Sequence, residues 1–144
     1  MSVCTRRIEF DAGHRICGHE SKCAKLHGHR YVVEITARGK LDSVGRVIDF
    51  GVLKQVCGGW IDNNWDHRLL LWNEDQIFLH SNVDCIFERG IGIVRVSFNP
   101  TAENMAEWLL YKFRALMLDT GVEVIHVRVY ETPNCWADCG ALDG

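Results

Sequence analysis

Two imidazoles leading straight into an alternating segment constrain this chain more than any other feature. His27-Gly28-His29 runs into residues 29–39, where Tyr31, Val33, Ile35 and Ala37 alternate with Val32, Glu34, Thr36 and Arg38. Such alternation predicts a strand. On a strand, residues i and i+2 share a face. His27 and His29 therefore aim at one point, while Gly28 leaves the opposite face bare. Two converging imidazoles need a third ligand to become a metal site. Cys23, four residues before His27, offers either that ligand or a nearby acid or base.

The remaining pattern supplies partners for that strand. Residues 3–11 read as a second strand, with Ile8 and Phe10 set against Arg7, Glu9 and Asp11. Asp42-Ser43-Val44-Gly45 is a turn. Asp49 is placed to cap a helix whose apolar face is Phe50, Leu53, Val56, Cys57 and Trp60. The stretch from Trp72 to Gly92 carries no clear signal. Residues 93–98 read as a strand. Pro100-Thr101-Ala102-Glu103-Asn104 starts a second helix, with Thr101 as cap and Glu103 in the first turn, where the helix dipole favours an acid. Met105, Trp108, Leu109, Phe113 and Leu116 form its apolar stripe. Residues 122–131 read as a last strand whose broken alternation suggests cover on both faces. The order β-β-α-β-α-β suits an α+β domain with both helices on one sheet face.

Composition narrows the function classes. The chain has 144 residues and a net charge of -3. That length suits one domain, spanning 1–144, with room for a real core. No Lys/Arg cluster suggests nucleic acid as a partner. No apolar run approaches the ~20 residues needed to cross a bilayer, and the N-terminus lacks the apolar core of a signal peptide. A cytoplasmic location is expected. Seven cysteines, with no export signal, argue for reduced thiols rather than a disulfide framework.

His14 follows the first strand. A hairpin between the first two strands would bring it to His27 and His29, and three neutral imidazoles with an open fourth position describe a catalytic zinc site. Cys23 is then a candidate base, or a small buried hydrophobe. A knuckle of Cys17, Cys23 and His27 is the weaker alternative, since the Cys17–Cys23 spacing is long for zinc. Asp66-His67 pairs an acid with an imidazole, but adjacent residues on an extended chain point apart and cooperate only across a turn. Glu131 ends the last strand and offers a bidentate acceptor for a guanidine-like heterocycle. His19, His80 and His126 lack partners, and Cys135 and Cys139 read as incidental thiols.

Several of these pieces fall in the order of one family. Phe10-Asp11-Ala12-Gly13-His14, Cys23-x3-His27-Gly28-His29, Val47-Ile48-Asp49-Phe50, Asp66-His67, Pro100-Thr101-Ala102-Glu103-Asn104 and Tyr130-Glu131-Thr132 together resemble the 6-pyruvoyltetrahydropterin synthase/6-carboxytetrahydropterin synthase family. The Cys-x3-His-Gly-His spacing and the Val-Ile-Asp-Phe segment look most like its 6-carboxytetrahydropterin synthase branch. The tail Asn134-Cys135-Trp136-Ala137-Asp138-Cys139 departs from the tyrosine-bearing end the family often has.

The resemblance implies a tunnelling fold: a four-stranded antiparallel sheet, two helices on one face, and sheets joined into a barrel in a trimeric or hexameric homo-oligomer. It implies active sites where subunits meet. It implies Zn2+ on His14, His27 and His29, catalytic Cys23, Asp66 and His67, and Glu131 as pterin anchor. The implied reaction converts 7,8-dihydroneopterin triphosphate to 6-carboxy-5,6,7,8-tetrahydropterin, acetaldehyde and triphosphate, a step toward queuosine and other 7-deazapurines. Arg15, Lys25 and Arg68 are the candidate cations for the triphosphate. The alternatives are the pyruvoyl-forming synthase, a small metal-dependent hydrolase, and a zinc-stabilised scaffold without catalysis.

Overall fold

The alternating segments do pair, and they extend further than their pattern. In a computed structural model, which describes residues 1–79 and 92–141, β1 is Ser2–His14 and β2 is His27–Gly39. The two run antiparallel in unbroken register, from Ser2 opposite Gly39 to His14 opposite His27. Inward residues Ile8, Phe10, Ala12, Tyr31, Val33, Ile35 and Ala37 are all buried. β5, Glu123–Thr132, adds to the other side of β2.

The broken alternation of that last strand has a local cause. The β2–β5 register slips between Thr36 and Ala37, which face His126 and Val124, so Ile125 is the extra residue of a β-bulge. Val124 and Val127 consequently both enter the core.

The sheet corrects the expected four antiparallel strands. It has six strands among the described residues, in the order β4-β3-β1-β2-β5-β6. β3, Arg68–Trp72, lies parallel to β1, and β4, Ile93–Val96, lies parallel to β3. β3 escaped the pattern because Leu69-Leu70-Leu71 is a continuous apolar run, which has no period of two. β6, Cys135–Gly140, folds back on β5 after the Pro133-Asn134 turn. It ends at Gly140, whose φ of 100° and contact with the Ile125 carbonyl leave no room for a Cβ. β4 stops two residues short of the expected strand. Residues 80–91 of the unassigned stretch, with His80, lie outside the described residues.

Both helical segments pack on one face of the sheet, as the element order suggested. The first is α1, Phe50–Leu53, then a π-helical turn, Lys54–Gly58, then α2, Gly59–Asn64. Asp49 caps it, accepting the Gly51 N–H at 2.8 Å. The wide π-turn rotates the stripe. Leu53, Cys57 and Ile61 are fully buried, whereas Phe50, expected on the inner face, is 51% exposed. α3, Ala102–Leu116, is capped by Thr101, whose hydroxyl accepts the Asn104 N–H at 3.1 Å. Its Met105, Leu109 and Phe113 are fully buried. Trp65 joins the two segments, its ring 5.4 Å from those of Trp60 and Trp108. No helix among the described residues is long and apolar enough to cross a membrane.

Candidate metal centre and active site

The end of the β1–β2 ladder builds the metal-competent cluster. Register sets His14 opposite His27, and His29 lies one pleat along the same face. The three rings converge with centroids 4.6–5.1 Å apart. Their ligand nitrogens all lie within 4.8 Å of one another.

Hydrogen bonding fixes which nitrogens are offered. His14 Nδ1 lies 2.7 Å from the Pro100 carbonyl, and His27 Nδ1 lies 2.7 Å from the Lys25 carbonyl. A carbonyl only accepts, so both Nδ1 atoms carry the proton. Each neutral ring then presents a bare Nε2 lone pair. Those two lone pairs face each other at 3.0 Å, a repulsive contact unless a cation lies between them. His29 Nε2 is buried without a hydrogen-bond partner. Two nitrogens bound ~2.0 Å from one tetrahedral zinc ion sit ~3.3 Å apart, close to the separation found. The outer Nδ1–H···O=C bonds are the orienting partners that metal-bound histidines use. The donor set therefore fits zinc.

Burial favours the neutral form of His14 and His29, the form in which they can be ligands. It pushes His14 down to about 4, with the Pro100 carbonyl opposing and the other two imidazoles adding to the shift. Burial, then His27, lowers His29 as well.

A cavity of about 210 Å³ opens beside the cluster. His14, His27, Cys23, Glu103 and Glu131 line it, with Cys135 and Trp136 from β6. Glu131 Oε2 stands 4.0 Å from His29 Nε2. Burial raises the Glu131 carboxyl, Glu103 raises it further, and His27 opposes both. Two carboxylates thus face one enclosed space, an arrangement suited to the N–H edge of a heterocycle. The sequence marks Glu103 only as a first-turn acid of α3, and no spacing signal marks Cys135, because β6 lacks a clear pattern.

Asp66 and His67 come together elsewhere. His67 adopts a left-handed φ of 59°, the turn this pair needed. Its Nδ1 lies 2.9 Å from Asp66 Oδ2. Asp66 also accepts the Asp11 N–H at 3.0 Å, and the Asp11 carbonyl takes the His67 N–H at 2.7 Å. Burial pushes the Asp66 carboxyl up, but the Asp11 N–H and His67 outweigh it, so the net shift is downward. His67 borders a second, open cleft of about 550 Å³, with Gly13, Gly28, His29, Arg30 and Arg68 in its walls. Cys23 and Glu131 do not line that cleft.

One alternative falls away here. Cys17 does not join Cys23 and His27, because its Sγ donates to Asp75 Oδ2 at 3.1 Å. Two of the candidate triphosphate cations have partners within the chain. Arg15 pairs with Asp75 at 2.8 Å, while Arg68 donates to the Asn63 carbonyl at the second cleft.

Known proteins match over nearly the full length. The model of the family described as 6-pyruvoyl tetrahydropterin synthase matches residues 3–141. A protein of Rickettsia felis named 6-carboxy-5,6,7,8-tetrahydropterin synthase is 47% identical over 140 residues, covering 96% of this chain and 99% of its own. One of the same name from Haemophilus influenzae is 29% identical over 144 residues, covering 96% and 98%. Among solved structures, an uncharacterized protein from Wolinella succinogenes superposes with a TM-score of 0.83 at 25% identity, covering 96% and 97%. The Caenorhabditis elegans 6-pyruvoyl tetrahydropterin synthase does so at 0.66 and 22%, covering 97% and 95%, a likeness of fold. With the family model spanning almost every residue, the chain belongs to the 6-pyruvoyl tetrahydropterin synthase family.

Proposed function

We propose that this chain is a zinc-dependent 6-carboxy-5,6,7,8-tetrahydropterin synthase acting on 7,8-dihydroneopterin triphosphate. One observation carries the reading: three imidazoles converge on one point, and two of them, His14 and His27, stand in the wall of a cavity that also holds Cys23 and Glu131. The 47% identical relative of that name supports the choice of product.

His14, His27 and His29 hold the ion, which when bound supplies Lewis-acid polarisation of the substrate's side-chain hydroxyls. Glu131 accepts hydrogen bonds from the N–H edge of the pterin and orients the ring. Glu103 closes the same wall. Cys23, as thiolate, removes a proton from the three-carbon side chain. His67, held by Asp66, moves protons on the opposite side. Reducing equivalents pass from side chain to ring within the substrate itself. Triphosphate leaves by elimination, and a water adds as the bond to the outer two carbons breaks, its oxygen completing the carboxyl group while those two carbons leave as acetaldehyde.

Since His67 borders a different cleft from Cys23 in one chain, we place the complete site between copies of a homo-oligomer whose sheets join into a barrel. The implied setting is cytoplasmic, in the pathway to queuosine.

The test is incubation of the zinc-loaded protein with 7,8-dihydroneopterin triphosphate, with products read by mass spectrometry. Acetaldehyde with 6-carboxytetrahydropterin is the expected result. A 6-pyruvoyl product would instead make it the pyruvoyl-forming synthase. Intact, zinc-bound protein without turnover would make it a scaffold.

A further inference from the structure

Polar bonds, not packing, hold the loop that carries Cys23. Residues 15–26 join β1 to β2, and the 3-10 turn Lys22–Ala24 contains no buried residue. Asn99 grips this loop through its side-chain amide. Its Oδ1 accepts the Cys17 N–H at 3.0 Å, and its Nδ2 donates to the Cys17 carbonyl at 2.9 Å. This is the two-way pairing that one strand gives another. The preceding residue, Ile16, donates its N–H to the Cys23 carbonyl at 2.9 Å, so the grip reaches the backbone of Cys23 itself.

Asp75 holds the same loop a second time. Its carboxylate is fully buried, pairs with Arg15 at 2.8 Å and accepts the Cys17 thiol. Asn99 is fixed in turn: Asn104 Nδ2 donates to its carbonyl at 2.9 Å. The adjoining Pro100 carbonyl orients His14. One short stretch, 99–104, therefore touches the thiol loop, the metal cluster and the Glu103 wall. Asn99 itself does not line the cavity.

We propose that Asn99, with Asp75, is a positioning residue that sets the Cys23 thiol against the three-histidine centre. This rests on the proposed role of Cys23 as the base. Displacing a reacting group by ~1 Å costs about 100-fold in rate, so the clamp acts on kcat rather than on binding.

The experiment compares zinc-loaded wild type with Asn99→Ala and Asn99→Asp. For Asn99→Ala, kcat should fall about 100-fold, with KM within about threefold and zinc content unchanged. Alkylation of Cys23 by iodoacetamide, followed by peptide mass spectrometry, should quicken severalfold as the loop loosens. Asn99→Asp keeps the acceptor for the Cys17 N–H and loses the donor. It should fall between the two, and it serves as the test if Asn99→Ala does not fold. Wild-type kcat and alkylation rate in a folded variant overturn the proposal, as does a fall in kcat that merely tracks lost zinc. The alkylation readout needs no pterin. A changed rate in Asn99→Ala therefore supports the clamp even where the wild type fails to turn over, a failure that overturns the proposed function alone.

Discussion

His14 shows how little latitude a residue at this centre has. Its Nδ1 is committed to the Pro100 carbonyl, its ring is 1% exposed, and its Nε2 faces another lone pair. A cation relieves that contact, and removing one imidazole removes a ligand. Outer partners of metal-bound histidines are worth 10–100-fold in affinity. His29→Ala should therefore lower zinc affinity by at least about 100-fold, measured by competition with a chromophoric chelator. Retained affinity would exclude His29 as a ligand. Cys23→Ala should do the opposite, abolishing turnover while zinc stays at about one ion per chain. Loss of zinc from that variant would make Cys23 a ligand and sink its role as base. The triad was legible because a His-x-His pair on a strand fixes its own geometry. Asn99 and Glu103 were not, since their importance arises from contacts between segments far apart in the chain.

At the scale of elements, legibility followed periodicity. β1, β2 and both capped helices announced themselves through spacing and caps. β3 and β6 did not: one is an apolar run, and the other carries Cys, Trp and Asp at positions that look like loop. β6 is held from outside the core. Arg128 donates to both oxygens of Asp138, at 2.6 and 3.1 Å, and stacks over Trp136, 5.0 Å from its ring centroid. His126 Nε2 lies 2.9 Å from the same carboxylate. A part-exposed bidentate pair is worth at most ~1 kcal/mol after solvent screening. Asp138→Asn should accordingly lower Tm by about 3 °C at pH 7. The hydrogen bond from Arg128 holds the Asp138 carboxyl below its usual range, with burial opposing and the charges of Arg128 and His126 assisting. A depressed carboxyl stabilises the fold above its ordinary value of ~3.9 and loses that contribution as pH falls through the lowered value. The Tm gap between wild type and variant should thus hold from pH 7 to 5 and close below about pH 4. A gap that persists in acid would mean the variant acts by repacking β6, not by charge.

The whole molecule raises a question that one chain does not answer. Cys23, Glu131, His14 and His27 line one cavity, while His29 and His67 line another cleft. Gly13 and Gly28 face each other across β1 and β2 and contribute no side chain to that second cleft, leaving it open to a partner surface. The proposed proton relay, split in this way, needs one copy to lend His67 to the Cys23 of the next. Closed symmetric assembly makes every such junction equivalent, which gives the idea a quantitative consequence. Cys23→Ala and His67→Ala chains should each be nearly inactive as pure assemblies. Unfolded together in equal amounts and refolded with zinc, they form mixed assemblies. A junction is intact only when its thiol comes from a His67→Ala chain and its imidazole from a Cys23→Ala neighbour. Random mixing makes that about one junction in four, so activity should return to roughly a quarter of wild type. Were Asp66 and His67 to serve the Cys23 of their own chain, no mixture would contain an intact site and none of the activity would return.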